Sequence, residues 1–143
     1  MIRMSLPSRT IIRLNLPNLT TYQSSGVQML ITLKKDFIPF NFNGNGENEK
    51  KVISLFIDTF CEHQLADNDY MNLKLHKNLN GSDSSSFYEL SLENILKHIT
   101  HIIWTDKVMP EYFVSKVKDN TIYHLLNRLE RIEFESKNAH ASN

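Results

Sequence analysis

Cysteine and long apolar runs are the scarcest features of this 143-residue sequence. Cys61 is the only cysteine, so no disulfide can form within the chain and we expect a reducing, intracellular compartment. No apolar run approaches the roughly 18 residues that a membrane-spanning helix needs, so we predict no membrane association. Pro7, Arg9 and Arg13 interrupt the N-terminal apolar residues and argue against a secretory signal. These absences predict a soluble protein of the cytoplasm.

The chain also lacks a net charge, because its 16 basic and 16 acidic residues cancel. A neutral protein has no overall field that would draw it to nucleic acid or to an anionic membrane. The charges are unevenly placed, since residues 1–46 carry five basic side chains against one acidic, a net charge of +4. The first 35 residues contain three arginines and no acid, which keeps mitochondrial import as an alternative to the cytoplasm.

Apolar and polar residues alternate in three segments, a pattern typical of half-buried strands. The alternation predicts strands at residues 10–16, 27–34 and 70–76. The second segment is the most regular, with only Leu30 breaking its polar face; the other face carries Val27, Met29, Ile31 and Leu33.

Three further segments carry apolar residues at the 3.6-residue spacing of an α-helix. They predict helices at residues 48–64, 91–104 and 120–134, the second with Ser91 as its N-cap. Residues 108–135 can form one kinked helix or two, and the cap-like residues at Asp119 favour a break there. The last helix has an apolar stripe of Ile122, Leu125, Leu126, Leu129 and Ile132.

The order of these segments predicts an α+β fold. We expect a small, mostly antiparallel sheet of three to four strands with three to four helices packed on it. Residues 37–42 can supply a fourth strand at a sheet edge, because Pro39 cannot donate to a central ladder. The length suits one domain, which we place at residues 1–136, followed by a disordered tail at residues 137–143.

No group of residues has the spacing that catalysis or metal binding requires. His98 and His101 share the polar face of the central helix, but zinc needs three or four ligands and no further ligand is placed to complete the site. Cys61 and His63 point in different directions from their helix, and we expect Cys61 to be partly buried. No glycine-rich phosphate loop is complete. We therefore predict no enzyme activity, no catalytic residue, no bound metal and no cofactor.

Binding to another protein is the main functional hypothesis. The chain would be a small intracellular regulatory module, acting as an adaptor, an inhibitor or a complex subunit, and its partner could be a second copy of itself. Aromatic and arginine side chains are enriched at protein interfaces, and we expect Tyr123 to be half exposed beside the stripe of the last helix. The candidate partner-binding residues are Tyr112, Tyr123, Arg128 and Arg131.

Nucleic-acid binding by the basic N-terminal strand region is the alternative hypothesis. Basic side chains neutralise phosphates and interleaved aromatic side chains stack on bases. The candidate residues for this alternative are Arg13, Lys34 and Lys35.

Overall fold

The computed structural model of the chain describes residues 19–38, 42, 46–67 and 84–141. All regular elements within these ranges are helical, and two short 3₁₀ helices, Leu33–Phe37 and Ser84–Phe87, accompany five α-helices. The α-helices are α1 (Thr21–Thr32), α2 (Glu47–Glu62), α3 (Leu92–Val108), α4 (Tyr112–Lys118) and α5 (Thr121–Ala141).

The predicted α+β fold is wrong, because the described part of the chain forms helices and contains no strand and no sheet. The decisive error lies at residues 27–34, which belong to α1 and to the first 3₁₀ helix. Phe37, expected to begin a further strand, ends that 3₁₀ helix. The predicted strands at residues 10–16 and 70–76 lie outside the described residues.

The N-terminus of α1 has a capping motif that favours a helix over the strand predicted from the alternating pattern. The Thr20 hydroxyl accepts a hydrogen bond from the Gln23 backbone N–H at 3.0 Å, and the Gln23 side-chain oxygen accepts one from the Thr20 N–H at 3.1 Å. This reciprocal capping box satisfies two amide groups that would otherwise lack partners at the helix end. Leu30 is fully buried although we expected it on a polar strand face, whereas Met29 is 42% exposed.

The three predicted helices are confirmed as α2, α3 and α5. The Ser91 hydroxyl caps α3 by accepting a hydrogen bond from the Asn94 N–H at 3.1 Å. The predicted break near Asp119 is also confirmed, since α4 ends at Lys118 and α5 begins at Thr121.

The last helix is longer than expected. α5 continues to Ala141, past its predicted end at residue 134 and into the segment predicted as a tail. The division into a domain at residues 1–136 and a tail at residues 137–143 otherwise stays a prediction.

Four phenylalanines from different parts of the chain meet at the centre of the core: Phe37, Phe42, Phe56 and Phe113. The Phe37 ring centroid lies 5.9 Å from that of Phe42, 5.6 Å from that of Phe56 and 5.8 Å from that of Phe113. Phe56 and Phe113 also meet directly, at 5.4 Å. Aromatic pairs at such distances contribute about 0.5–1.5 kcal/mol each beyond the burial of their area. Phe37 therefore links α1 to α2 and α4.

The helix α5 is the element that most of the others contact. It packs against α1, α3, α4 and both 3₁₀ helices. The predicted stripe forms this contact, since Ile122, Leu125, Leu126 and Leu129 are fully buried and Ile132 is partly buried. Another side of α5 is left on the molecular surface, and the candidate binding residues Arg128 and Arg131 lie there.

Gly26 lets α1 approach the end of α2 closely. A Cβ atom at this position would lie 2.4 Å from the Cβ and 2.6 Å from the Cγ of His63. These distances are well inside van der Waals contact, and the His63 ring is held by stacking on Tyr22 at 4.3 Å. A larger residue at position 26 would therefore force the two helices apart.

We expect Gly26→Ala to destabilise the protein, although Ala exceeds Gly in intrinsic helix propensity by about 1 kcal/mol. Ser25→Ala is the matched control, because Ser25 is an exposed residue of the same helix. It should leave the melting temperature unchanged or raise it. Thermal and urea unfolding followed by circular dichroism measure both variants. A Gly26→Ala protein as stable as Ser25→Ala would contradict the close contact.

The end of α2 contains a residue with a positive φ angle that is not glycine. Gln64 has φ 59°. Its N–H donates to the Cys61 carbonyl at 3.1 Å, and the Leu65 N–H donates to the Phe60 carbonyl at 3.1 Å. This is the Schellman arrangement, in which the left-handed position is usually occupied by Gly.

We expect Gln64→Gly to raise the free energy of unfolding by up to about 1 kcal/mol, because a left-handed conformation costs a residue with a Cβ roughly 1–2 kcal/mol and Gly avoids this cost. The substitution keeps the Gln64 carbonyl, which accepts a hydrogen bond from the Gln23 side chain at 2.9 Å. Gln64→Ala is the control and should match the wild type. Chemical denaturation measures the three proteins, and equal stability of the Gly and Ala variants would contradict the assignment.

Candidate protein-interaction site

The structure places the four predicted partner-binding residues on more than one surface. Arg128 and Arg131 lie together on the outer side of α5, where they line an open groove of about 810 Å³. Tyr123 lies on a neighbouring face of α5, and Tyr112 lies on α4; neither lines the groove. The groove is therefore the site that the arrangement of residues supports.

One wall of the groove is the helix α5 and the other is the second 3₁₀ helix with the residue that follows it. Four of the α5 residues that line the groove, at positions 124, 128, 131 and 134, follow one another at intervals of four, three and three, so they form a line along one face of the helix. With a rise of roughly 1.5 Å per residue, positions 124 to 134 span roughly 15 Å. The residues that line the groove are Phe87, Tyr88, His124, Asn127, Arg128, Glu130, Arg131, Phe134 and Glu135.

Aromatic side chains form both the floor and the rim of the groove. Phe87 is buried and its ring centroid lies 5.0 Å from that of His124, so this pair forms the floor. Tyr88 and Phe134 are 64% and 59% exposed. Large exposed aromatic side chains at a concave surface are typical of binding sites.

Arg128 is held in place by the start of α3. Its Nε–H donates to the Leu90 carbonyl at 3.0 Å, and the residue is half buried. Among the described residues, no carboxylate forms an ion pair with Arg128, whereas the Nε of Arg131 lies 3.2 Å from a carboxylate oxygen of Glu135. That second pair is largely exposed, and exposed pairs contribute about 0–1 kcal/mol.

Lys34, a candidate for nucleic-acid binding, lies next to Tyr123, a candidate for partner binding. Its Nζ lies 2.5 Å from a carboxylate oxygen of Glu130 and 2.9 Å from the Asn127 side-chain oxygen. The same Nζ lies 5.7 Å from the centre of the Tyr123 ring. Lys34 thus joins the first 3₁₀ helix to α5, and Tyr123 is half buried beneath it.

The other two candidate residues for nucleic-acid binding do not extend this cluster. Lys35 is exposed beside Lys34, and Arg13 lies outside the described residues. The positive charge of Lys34 is matched by Glu130, so of the two candidates that the structure describes only Lys35 lacks a carboxylate partner among the described residues.

Tyr112 has its own neighbours on α4. It is half buried, its ring meets that of His101 edge-on with centroids 6.4 Å apart, and the Lys116 Nζ lies 5.3 Å from its centre. These contacts hold Tyr112 against the surface of α3 and α4.

The two histidines of α3 do not lie on an exposed polar face. His98 is buried and His101 is half buried, because α3 is covered on more than the side of its apolar stripe. The segment after α2 covers part of this side of α3. Thr100 is buried there, and its hydroxyl accepts a hydrogen bond from the Asp67 N–H at 3.0 Å. No three His, Cys, Asp or Glu residues in the described ranges are grouped so that they could hold a metal ion.

Cys61 is exposed, so the expectation that it is partly buried is wrong. Its neighbours nevertheless displace part of the water, and this burial raises the pKa of the thiol; Lys107 opposes the shift and Asp58 adds to it. A raised pKa disfavours the reactive thiolate. His63 is buried, with its Nδ1 3.0 Å from the Thr59 carbonyl oxygen.

Sequence reasoning found the arginines of the groove but missed its aromatic rim. Tyr88 lies outside every helix and strand predicted from the sequence. Phe134 was predicted only as the end of the last helix, and it lies two residues after Ile132, about 200° around the helix from it. That angular offset was the available signal for an exposed Phe134.

No protein family model, no curated protein and no solved structure matches this chain. None of the described helices is long and apolar enough to cross a membrane.

We expect the two sides of α5 to respond differently to truncation. Leu125→Ala should cost about 2–5 kcal/mol, because it leaves a cavity at a fully buried position. Tyr123→Ala should cost about 0.5–1 kcal/mol, the range for a partly exposed contact between a cation and an aromatic ring. Urea unfolding measures both variants. If Tyr123→Ala unfolds as readily as Leu125→Ala, Tyr123 belongs to the core and has no surface role.

Proposed function

We propose that this protein is a small, non-catalytic interaction module that binds another protein through the groove along α5. The observation that carries this proposal is the pair of exposed aromatic side chains, Tyr88 and Phe134, on the rim of a groove that also contains Arg128 and Arg131. Tyr, Phe and Arg are the side-chain types that protein interfaces favour. The protein would act as an adaptor, an inhibitor or a subunit of a complex, and a second copy of the chain is included among the candidate partners.

The charges around the groove favour a protein partner over nucleic acid. Glu130 and Glu135 lie among the groove residues beside Arg128 and Arg131, so the groove carries both signs of charge and is not the continuous basic surface that a nucleic-acid backbone favours. Phosphate contacts supply most of the affinity of nucleic-acid binders. A protein partner tolerates both signs of charge at the rim of its interface.

Site-specific photocrosslinking in the cells of origin tests this proposal. A benzophenone side chain is placed in the full chain at Tyr88, at Phe134 or, as a control, at Leu55. Leu55 is 47% exposed on α2, outside the groove. Like the two groove positions, it is a large side chain on the surface. We expect positions 88 and 134 to give the same discrete protein adduct, identified by mass spectrometry, and position 55 to give none.

Three results would contradict the proposal. These are the absence of an adduct from both groove positions, the same adduct from position 55, and adducts to nucleic acid instead of protein. Circular dichroism of each labelled chain, purified from cells that were not irradiated, shows whether it is folded, so a missing adduct from a folded chain reports on binding.

A further inference from the structure

We infer that the groove along α5 binds a short peptide segment of its partner in which a carboxylate neighbours a large apolar side chain, and that the carboxylate pairs with Arg128. This inference rests on the proposed function, because it specifies the chemistry of the partner at the same groove. Three features of the groove support it: its charges, the hydrogen bond of Arg128 and the position of the exposed aromatic rings.

Arg128 differs from the other cations near the groove in its ion pairs. Two other cations near the groove have an anionic neighbour on α5: Lys34 pairs with Glu130, and Arg131 pairs with Glu135. Arg128 has no such carboxylate among the described residues. The residue is half buried, and the attraction between two opposite charges is stronger near a protein surface than in bulk water.

The hydrogen bond to Leu90 sets how a carboxylate can approach. A guanidinium has five N–H donors in a rigid plane, and the Nε–H of Arg128 is already directed at the Leu90 carbonyl. The four N–H groups on the two terminal nitrogens are the ones that can form the paired, end-on contact with a carboxylate. Because Leu90 directly precedes the capped start of α3, the guanidinium is oriented before a partner arrives, which lowers the entropic cost of binding.

The aromatic residues of the groove favour a partner peptide with a large apolar side chain. Tyr88 and Phe134 expose their rings on the rim, and the Phe87–His124 pair forms the floor. A Leu, Ile, Phe or Trp side chain of the partner would cover this surface while its carboxylate meets Arg128. The groove length of roughly 15 Å suits about five residues of extended chain at roughly 3.3 Å per residue, so one acidic and one or two apolar side chains fill it.

The test begins with a phage-displayed library of random octapeptides selected on the immobilised full-length protein. We expect the selected sequences to be enriched in Asp or Glu within four residues of Leu, Ile, Phe or Trp. The strongest selected peptide is then synthesised in two forms, one with the acidic residue and one with the matching amide. Fluorescence polarisation measures the Kd of each form.

Substitutions in the protein connect this preference to Arg128. We expect Arg128→Gln to weaken binding of the acidic peptide at least tenfold, whereas Lys118→Gln, the control for loss of one positive charge at an exposed position of α4 outside the groove, leaves the Kd unchanged. The amide peptide should bind the wild type at least tenfold more weakly than the acidic peptide. It should lose little more with Arg128→Gln, because the pair is already broken. The comparison of the two peptides uses the wild-type protein, so it stands even if Arg128→Gln fails to fold.

Several outcomes would overturn the inference, and they are distinguishable from failure of the proposed function. Selected peptides without acids, or acidic peptides that bind Arg128→Gln as well as the wild type, would remove the carboxylate pairing while the crosslinks from positions 88 and 134 persist. Sedimentation showing a dimer that the groove substitutions dissociate would identify a second copy as the occupant instead. Absence of any groove-dependent peptide would also overturn it. Absence of crosslinks at both positions would remove the proposed function as well.

Discussion

The packing of Phe37 is the contact on which the rest of the arrangement depends. Its ring, at the end of the first 3₁₀ helix, meets Phe56 of α2 and Phe113 of α4, so one side chain joins three parts of the chain that are distant in sequence. With this 3₁₀ helix anchored, the Lys34 ammonium group reaches Glu130 on α5. The interior thus unites helices around aromatic rings, where a sheet-based fold would unite strands through backbone hydrogen bonds.

Different sides of α5 carry the core contacts and the proposed binding groove. Leu125 and its buried neighbours face the core, whereas Arg128, Arg131 and Phe134 face the groove. Both walls of the groove are tied to the core, since Phe87 is buried beneath the second 3₁₀ helix and the Leu90 carbonyl binds Arg128. A groove with such walls needs little reorganisation on binding, which is the condition for a small surface to bind with useful affinity.

The candidate site was only partly predictable from residue types. Arg128 and Arg131 follow from the general enrichment of arginine at interfaces, and their helical spacing of three places them on one side of α5. The contribution of Tyr88 was not predictable, because a residue 40 positions earlier than Arg128 reaches the same groove only through the packing of the second 3₁₀ helix on α5. Lys34 shows the reverse case: a basic residue that suggested phosphate binding pairs instead with Glu130, which is distant in the sequence.

Local signals in the sequence were sufficient for α2, α3 and α5, for the Ser91 cap and for the break near Asp119, because caps and long apolar stripes act within a few residues. They were insufficient for residues 27–34. The side of α1 that is buried consists of Gln23, Gly26, Val27 and Leu30, and only two of these are apolar, so no apolar stripe marks the helix. Gln23 is buried because its amide reaches the Gln64 carbonyl, and Gly26 because the His63 ring packs on it. Only the tertiary contact between α1 and the end of α2 could decide this segment, since both residues become interior through partners about 40 positions away.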